Sequence, residues 1–137
     1  SLKQYGVETI PTGYLVFSPG GRVGEVGDAD LVNPGQEELV YSYALTAKMY
    51  GFSTLYLEAG SGSLTQVDSN SIQAARQVSE LCLIVGGGIR NEEQAAKAAA
   101  AGANWVVTGT LTEDATSDAE LKSRLEAVIR GIQSSSS

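Results

Sequence analysis

The sequence predicts an α/β fold of four parallel strand–helix units, either half of a (β/α)8 barrel or a small open sheet. Three observations carry this. Short apolar runs alternate with amphipathic helical stretches four times over. A glycine-containing turn follows each apolar run. The 137 residues are too few to close an eight-stranded barrel, which takes roughly 200 or more. Alternation of this kind implies parallel pairing through right-handed crossovers.

The strands read Tyr14 to Phe17, Thr54 to Leu57, Leu81 to Val85 and Trp105 to Thr108. Nearly continuous apolar runs are the pattern of parallel strands buried on both faces. The first helix spans Gln36 to Tyr50, with Leu39, Val40, Tyr43, Ala44 and Ala47 on one face and Gly51 closing it. The second, Ser69 to Ser79, follows Asp68 as N-cap and buries Ile72, Ala75 and Val78. The third, Glu92 to Ala101, follows Asn91 and stops at Gly102. The fourth, Asp118 to Ile132, opens on a Ser117–Glu120 capping box and buries Leu121, Leu125, Val128 and Ile129. Ser18 to Gly35 reads as an extended loop. Positions 1–133 form one domain, and the serines of 134–137 read as a disordered tail. The chain opens on Ser1 rather than Met, in a segment that reads as a helix end entering a strand, as if cut from a longer protein.

Composition excludes several classes of function. With 9 Lys+Arg against 16 Asp+Glu, the net charge of −7 is opposite to a nucleic-acid footprint. A chain without histidine has no Ser-His-Asp or Cys-His centre and no His-ligated metal. One cysteine, Cys82, permits neither an internal disulfide nor a zinc cluster. Neither a signal peptide nor an apolar run of about 20 residues, the length of a membrane span, is visible.

The turns carry the functional signal. They read Ser18-Pro19-Gly20-Gly21, Glu58-Ala59-Gly60-Ser61-Gly62, Gly86-Gly87-Gly88 and Gly109-Thr110, each at the carboxyl end of a strand. Ligands of parallel α/β proteins bind there. A phosphate held by main-chain N–H groups needs the backbone within about 3 Å of its oxygens, and glycine leaves that approach open. The last two turns of a (β/α)8 barrel often share a phosphate site, so Gly86, Gly87, Gly109 and Thr110 are the candidates; tight turns alone would also use glycine. Glu58 ends the second strand, on the same side as Tyr56 and next to Ser61. Burial makes a carboxylate a better proton acceptor near neutrality, and without histidine Glu58 is the candidate base. The alternative is a structural ion pair, for instance with Arg90.

YLEAGSG (Tyr56 to Gly62), IVGGGIR (Ile84 to Arg90), GANWVVTGT (Gly102 to Thr110) and SPGGRVGEVGDA (Ser18 to Ala29) together resemble the geranylgeranylglyceryl phosphate synthases and their bacterial relatives, the PcrB group. The resemblance runs from about Val7 to Gly109. It implies the C-terminal half of a modified (β/α)8 barrel in a cytoplasmic enzyme of ether-lipid synthesis. That enzyme transfers a prenyl group from a prenyl diphosphate to the C3 hydroxyl of sn-glycerol 1-phosphate. By the same resemblance Tyr56, Leu57, Glu58, Ala59, Gly60, Ser61 and Gly62 line the glycerol phosphate, with Glu58 accepting the hydroxyl proton. Gly86, Gly87, Gly109 and Thr110 would hold the phosphate. The family's cofactor is Mg2+, with ligands on early strands absent from this chain. Activity would then need the N-terminal half-barrel, on a second chain or on more of the same protein, and the chain is expected either to pair with that half or to form a homo-oligomer. The competing readings are a different phosphate-binding barrel enzyme, which lacks a second strand-end lysine or carboxylate here, and a non-catalytic half that pairs with itself. Asn104 replaces the Asp expected from the resemblance, a change expected to matter little, and Trp105 is large for the start of a buried strand.

Overall fold

A computed structural model describes residues 2–134. Four strands form one parallel sheet in sequence order: β1 (Thr12–Val16), β2 (Thr54–Glu58), β3 (Cys82–Gly86) and β4 (Trp105–Val107). The α-helices are α1 (Gly21–Val26), α2 (Glu37–Met49), α3 (Ser69–Arg76), α4 (Glu92–Ala101), α5 (Thr110–Glu113) and α6 (Asp118–Ser134). A 3-10 turn over Leu2–Tyr5 precedes β1. Sequential strand order with a helix in each crossover is the arrangement of half a (β/α)8 barrel.

The register aligns the strand ends. Val16 pairs with Glu58, Glu58 with Gly86, and Gly86 with Val107. All four strands therefore stop on one line, and their turns emerge together.

The core lies between the sheet and the helices. Leu55, Leu57, Leu83 and Val85 point outward from the sheet and meet Val40 and Ala44 of α2, Ile72 and Ala75 of α3, and Ala95 and Ala98 of α4. Small side chains on α3 and α4 let those helices sit close to the sheet. The caps follow the sequence. Asp68 accepts from Ser71 N at 2.9 Å, and Asn91 accepts from Gln94 N at 2.9 Å. Ser117 Oγ accepts from Glu120 N, whereas the Glu120 carboxylate reaches back to Thr116 rather than to Ser117.

Several expectations need correction. The strands are not evenly buried on both faces: on the inner face Glu58 and Thr54 are buried, but Tyr14, Trp105 and Val107 of the two outer strands are 48 %, 65 % and 40 % exposed. Four strands cannot curl far enough to cover their own inner face, so Trp105 opens its strand in the open rather than in a core. Leu39 and Tyr43 of α2 are also exposed, because among the described residues no α-helix flanks α2 on the β1 side. Ile129 lies on the outer side of α6 and is exposed as well. The first strand begins at Thr12 and stops at Val16, with Phe17 forming a separate bridge to Val32. The extended loop contains a helix, α1, and a short helix α5 follows β4. The final helix runs through Ser134, one residue into the expected serine tail; the other three tail positions lie outside the described residues. Asn104 is not idle: its Oδ1 accepts from Leu83 N at 2.8 Å and from Arg76 at 3.0 Å, tying α3 to the sheet.

Asp68 satisfies one of the donors that the start of α3 would otherwise leave unpaired. Asp68→Ala is expected to lower the unfolding free energy by about 1 kcal/mol, read from the shift of a urea denaturation midpoint at unchanged slope.

Candidate functional site

The turns after β2, β3 and β4 enclose a cavity of about 110 Å³. Tyr56, Glu58, Ser61 and Gly62 form one wall, Gly87, Gly88 and Ile89 a second, and Val107, Thr108, Gly109 and Thr110 the third. Seven of the candidate residues thus meet in one place. Four do not. Leu57 and Ala59 point into the core, Gly60 packs against the turn after β1, and Gly86 lies behind the Tyr56 ring. Gly88, Ile89, Val107 and Thr108 were missed. Their turns were legible as glycine-containing, but which turn residues face inward depends on dihedral angles.

Glu58 is 8 % exposed. One carboxylate oxygen, Oε1, accepts from Gly60 N at 2.6 Å, so the carboxylate is fixed by its own turn. The other, Oε2, lies 3.4 Å from the Tyr14 hydroxyl. Tyr14 was not among the sequence candidates, although it stands opposite Tyr56 in the register. The two rings stack, with centroids 4.8 Å apart. Burial, then the Glu58 charge and hydrogen bond, push the Tyr14 phenol up to about 12. Burial, Glu58 and Tyr14 likewise raise the Tyr56 phenol. Both phenols stay protonated near neutrality and act as donors.

Arg90 does not pair with Glu58. It donates to the carbonyl oxygens of Gly62 at 2.9 Å and Ser63 at 3.1 Å, and so pins the β2 turn to the β3 turn. A second, larger cavity of about 550 Å³ adjoins the first, with Tyr14, Glu58 and Ser61 on one side and Arg22, Val23, Val26 and Gly27 on the other.

Glycine is required at two points by close approach. Gly87 has φ +84, and a Cβ there would lie 2.5 Å from Glu58 Oε1 and 2.7 Å from Gly60 N. Gly60 has φ +99, and a Cβ there would lie 2.9 Å from the Gly20 and Gly21 backbone. The turns after β1, β2 and β3 are thus stacked backbone on backbone, and the cavity is lined by glycines of these turns together with the side chains of Tyr56, Glu58, Ser61 and Thr110.

The PcrB family model matches residues 1–130. The chain belongs to the PcrB family. Among curated relatives, the geranylgeranylglyceryl phosphate synthase of Picrophilus torridus is 46 % identical over 82 % of this chain and 46 % of its own length. That of Thermococcus kodakarensis is 43 % identical over 96 % of this chain and 52 % of its own. A crystal structure of (S)-3-O-geranylgeranylglyceryl phosphate synthase from Thermoplasma acidophilum, in complex with sn-glycerol-1-phosphate, superposes with a TM-score of 0.91. It is 41 % identical and covers 97 % of this chain and 53 % of that one. This chain therefore spans about half the length of the relatives it matches.

Among the described residues no group of three His, Cys, Asp or Glu side chains stands close enough to hold a metal ion, and both Glu58 oxygens already have donors. The residues present do not fit the Mg2+ site that the resemblance implies.

Gly60→Ala meets backbone that cannot swing aside, in a conformation that L residues rarely adopt. A loss of about 1–3 kcal/mol is expected, measured by urea unfolding, together with faster proteolytic cutting within the 18–35 segment.

Proposed function

We propose that this chain is the acceptor side of a prenyltransferase that joins a geranylgeranyl or similar prenyl group to the C3 hydroxyl of sn-glycerol 1-phosphate, releasing diphosphate. One observation carries the reading: a buried, pre-oriented carboxylate shares a small cavity with the glycine turns of the last two βα units. The relative from Thermoplasma acidophilum, whose structure holds sn-glycerol-1-phosphate, supports the choice of acceptor.

The division of labour comes from the geometry. Main-chain N–H groups of the Gly87 and Thr110 turns receive the phosphate oxygens. Thr110 opens α5, and the first N–H groups of a helix have no partner within it. These donors suit a dianion on an acidic protein because their partial charges are fixed and local. The alcohol end of the glycerol then reaches Glu58. Its hydroxyl donates to Oε2, the oxygen less firmly held. As the alcohol oxygen bonds to the prenyl C1 carbon, the C1–diphosphate bond breaks and the hydroxyl proton passes to Glu58. A carboxylate fixed by Gly60 N needs little reorganisation for that transfer.

The donor side lies outside these residues. Prenyl diphosphate, Mg2+ and their ligands belong to an N-terminal half-barrel, supplied by more chain or by another chain, and the reaction belongs to the cytoplasm. The open inner face with Tyr14, Trp105 and Val107 favours a second reading, in which the half associates with a second copy of itself and has no catalytic role.

Calorimetry with glycerol 1-phosphate on the wild type and Gly87→Val tests the phosphate site. Binding is expected for the wild type and its loss by about tenfold or more for the variant; equal heats refute it. In a reconstituted barrel, Glu58→Gln is expected to lower turnover by about 10²- to 10⁴-fold, the range for a general base, while phosphate binding persists. Retained turnover would assign the proton to another group.

A further inference from the structure

Tyr14 belongs to the first strand, two strands away from the glycine turns of β3, and nothing in the phosphate reading uses it. Its position is nonetheless tightly determined. In-register pairing puts Tyr14 beside Tyr56 on the inner face, and the stacked rings leave the Tyr14 hydroxyl 3.4 Å from Glu58 Oε2. That separation is at the outer limit of a hydrogen bond. A well-made internal bond would be shorter. Oε1, by contrast, is held at 2.6 Å by Gly60 N. One carboxylate oxygen is therefore committed to the fold, the Tyr56 phenol also engages the carboxylate, and the contact of Oε2 with Tyr14 is the loose one.

We infer that Tyr14 is a substrate-binding residue, which donates from its phenol to the acceptor hydroxyl while that hydroxyl donates to Glu58 Oε2. A ligand hydroxyl is at once donor and acceptor, and these two protein groups supply one complement each. A hydroxyl inserted between them replaces one long contact by two short ones. The phenol is suited to the donor role because burial and the neighbouring carboxylate keep it protonated. Tyr14 also lines the larger cavity together with Glu58 and Ser61, so the bound hydroxyl stands where the small polar cavity opens into the larger one. Tyr56, stacked on Tyr14 and filling the space in front of Gly86, supports the ring and also engages the Glu58 carboxylate through its phenol, so it holds the carboxylate while Tyr14 meets the ligand.

The consequence is specificity. A site built to hydrogen-bond a hydroxyl discriminates against an analogue without it, because the protein groups are then left unpaired. Tyr14 would thus read the polyol end of the ligand and not its phosphate. This rests on the proposal that the cavity takes the acceptor.

The test compares glycerol 1-phosphate, propyl phosphate and inorganic phosphate by calorimetry on the full chain, wild type and Tyr14→Phe. Phenylalanine keeps the stack and removes only the hydroxyl. The wild type is expected to prefer glycerol 1-phosphate to propyl phosphate. Tyr14→Phe is expected to erase about tenfold of that preference, the worth of one hydrogen bond, while inorganic phosphate binds both proteins alike. An unchanged preference in Tyr14→Phe overturns the inference, and so does an equal loss for all three ligands, which would mark a structural role. A wild type that binds phosphate without any preference for the polyol overturns it while leaving the phosphate site standing. A wild type that binds none of the three removes the acceptor reading itself, and this inference with it.

Discussion

The parallel register is the constraint on which the rest of this structure depends. Because Val16, Glu58, Gly86 and Val107 lie on one line across the sheet, the turns that come after them have to share one edge. A one-residue slip in a parallel pair would turn every side chain of that strand to the opposite face. Glu58 would then point into the hydrophobic cluster between sheet and helices. The register is held by the outward set, Leu55 and Leu57 on β2 with Leu83 and Val85 on β3, all 1 % exposed or less. The hydrophobic core thus fixes the direction of the carboxylate without touching it.

Glycine converts that alignment into a binding surface. Side chains at Gly60 and Gly87 would collide with neighbouring backbone or with Glu58 itself, so the turns pack directly on one another. The result is a set of closely packed glycine turns beside one buried carboxylate. Arg90 adds rigidity, since it donates its hydrogen bonds to the carbonyls of the β2 turn. In the proposed role, backbone dipoles at these turns attract an anion locally where a net charge of −7 would not.

The open face has a physical reason as well. Half a barrel curls its sheet in the same direction as a whole one, and among the described residues nothing covers the inner side of its outer strands. Trp105, Val107 and Tyr14 are therefore exposed. Relatives about twice as long have the additional chain to fill such a space.

Apolar periodicity, caps and glycine turns made the strand–helix order legible, along with Asp68 and Asn91 as caps and the turns that hold Glu58, Gly87 and Thr110. These are local properties: a pattern of side chains reports which way a segment faces its neighbours, and a turn residue reports its own dihedral freedom. The sequence did not reveal that Tyr14 meets Glu58, that Gly60 packs on Gly20, that Arg90 serves the backbone rather than the carboxylate, or that Trp105 lies in the open. Each of those is a contact, or a missing contact, between segments distant in the chain. By itself the sequence determined four βα units, their order and the chemistry available at their ends. Only the tertiary structure decided which of those ends touch, because that depends on strand register and sheet curvature, quantities set by the packing of the whole core and by no single segment.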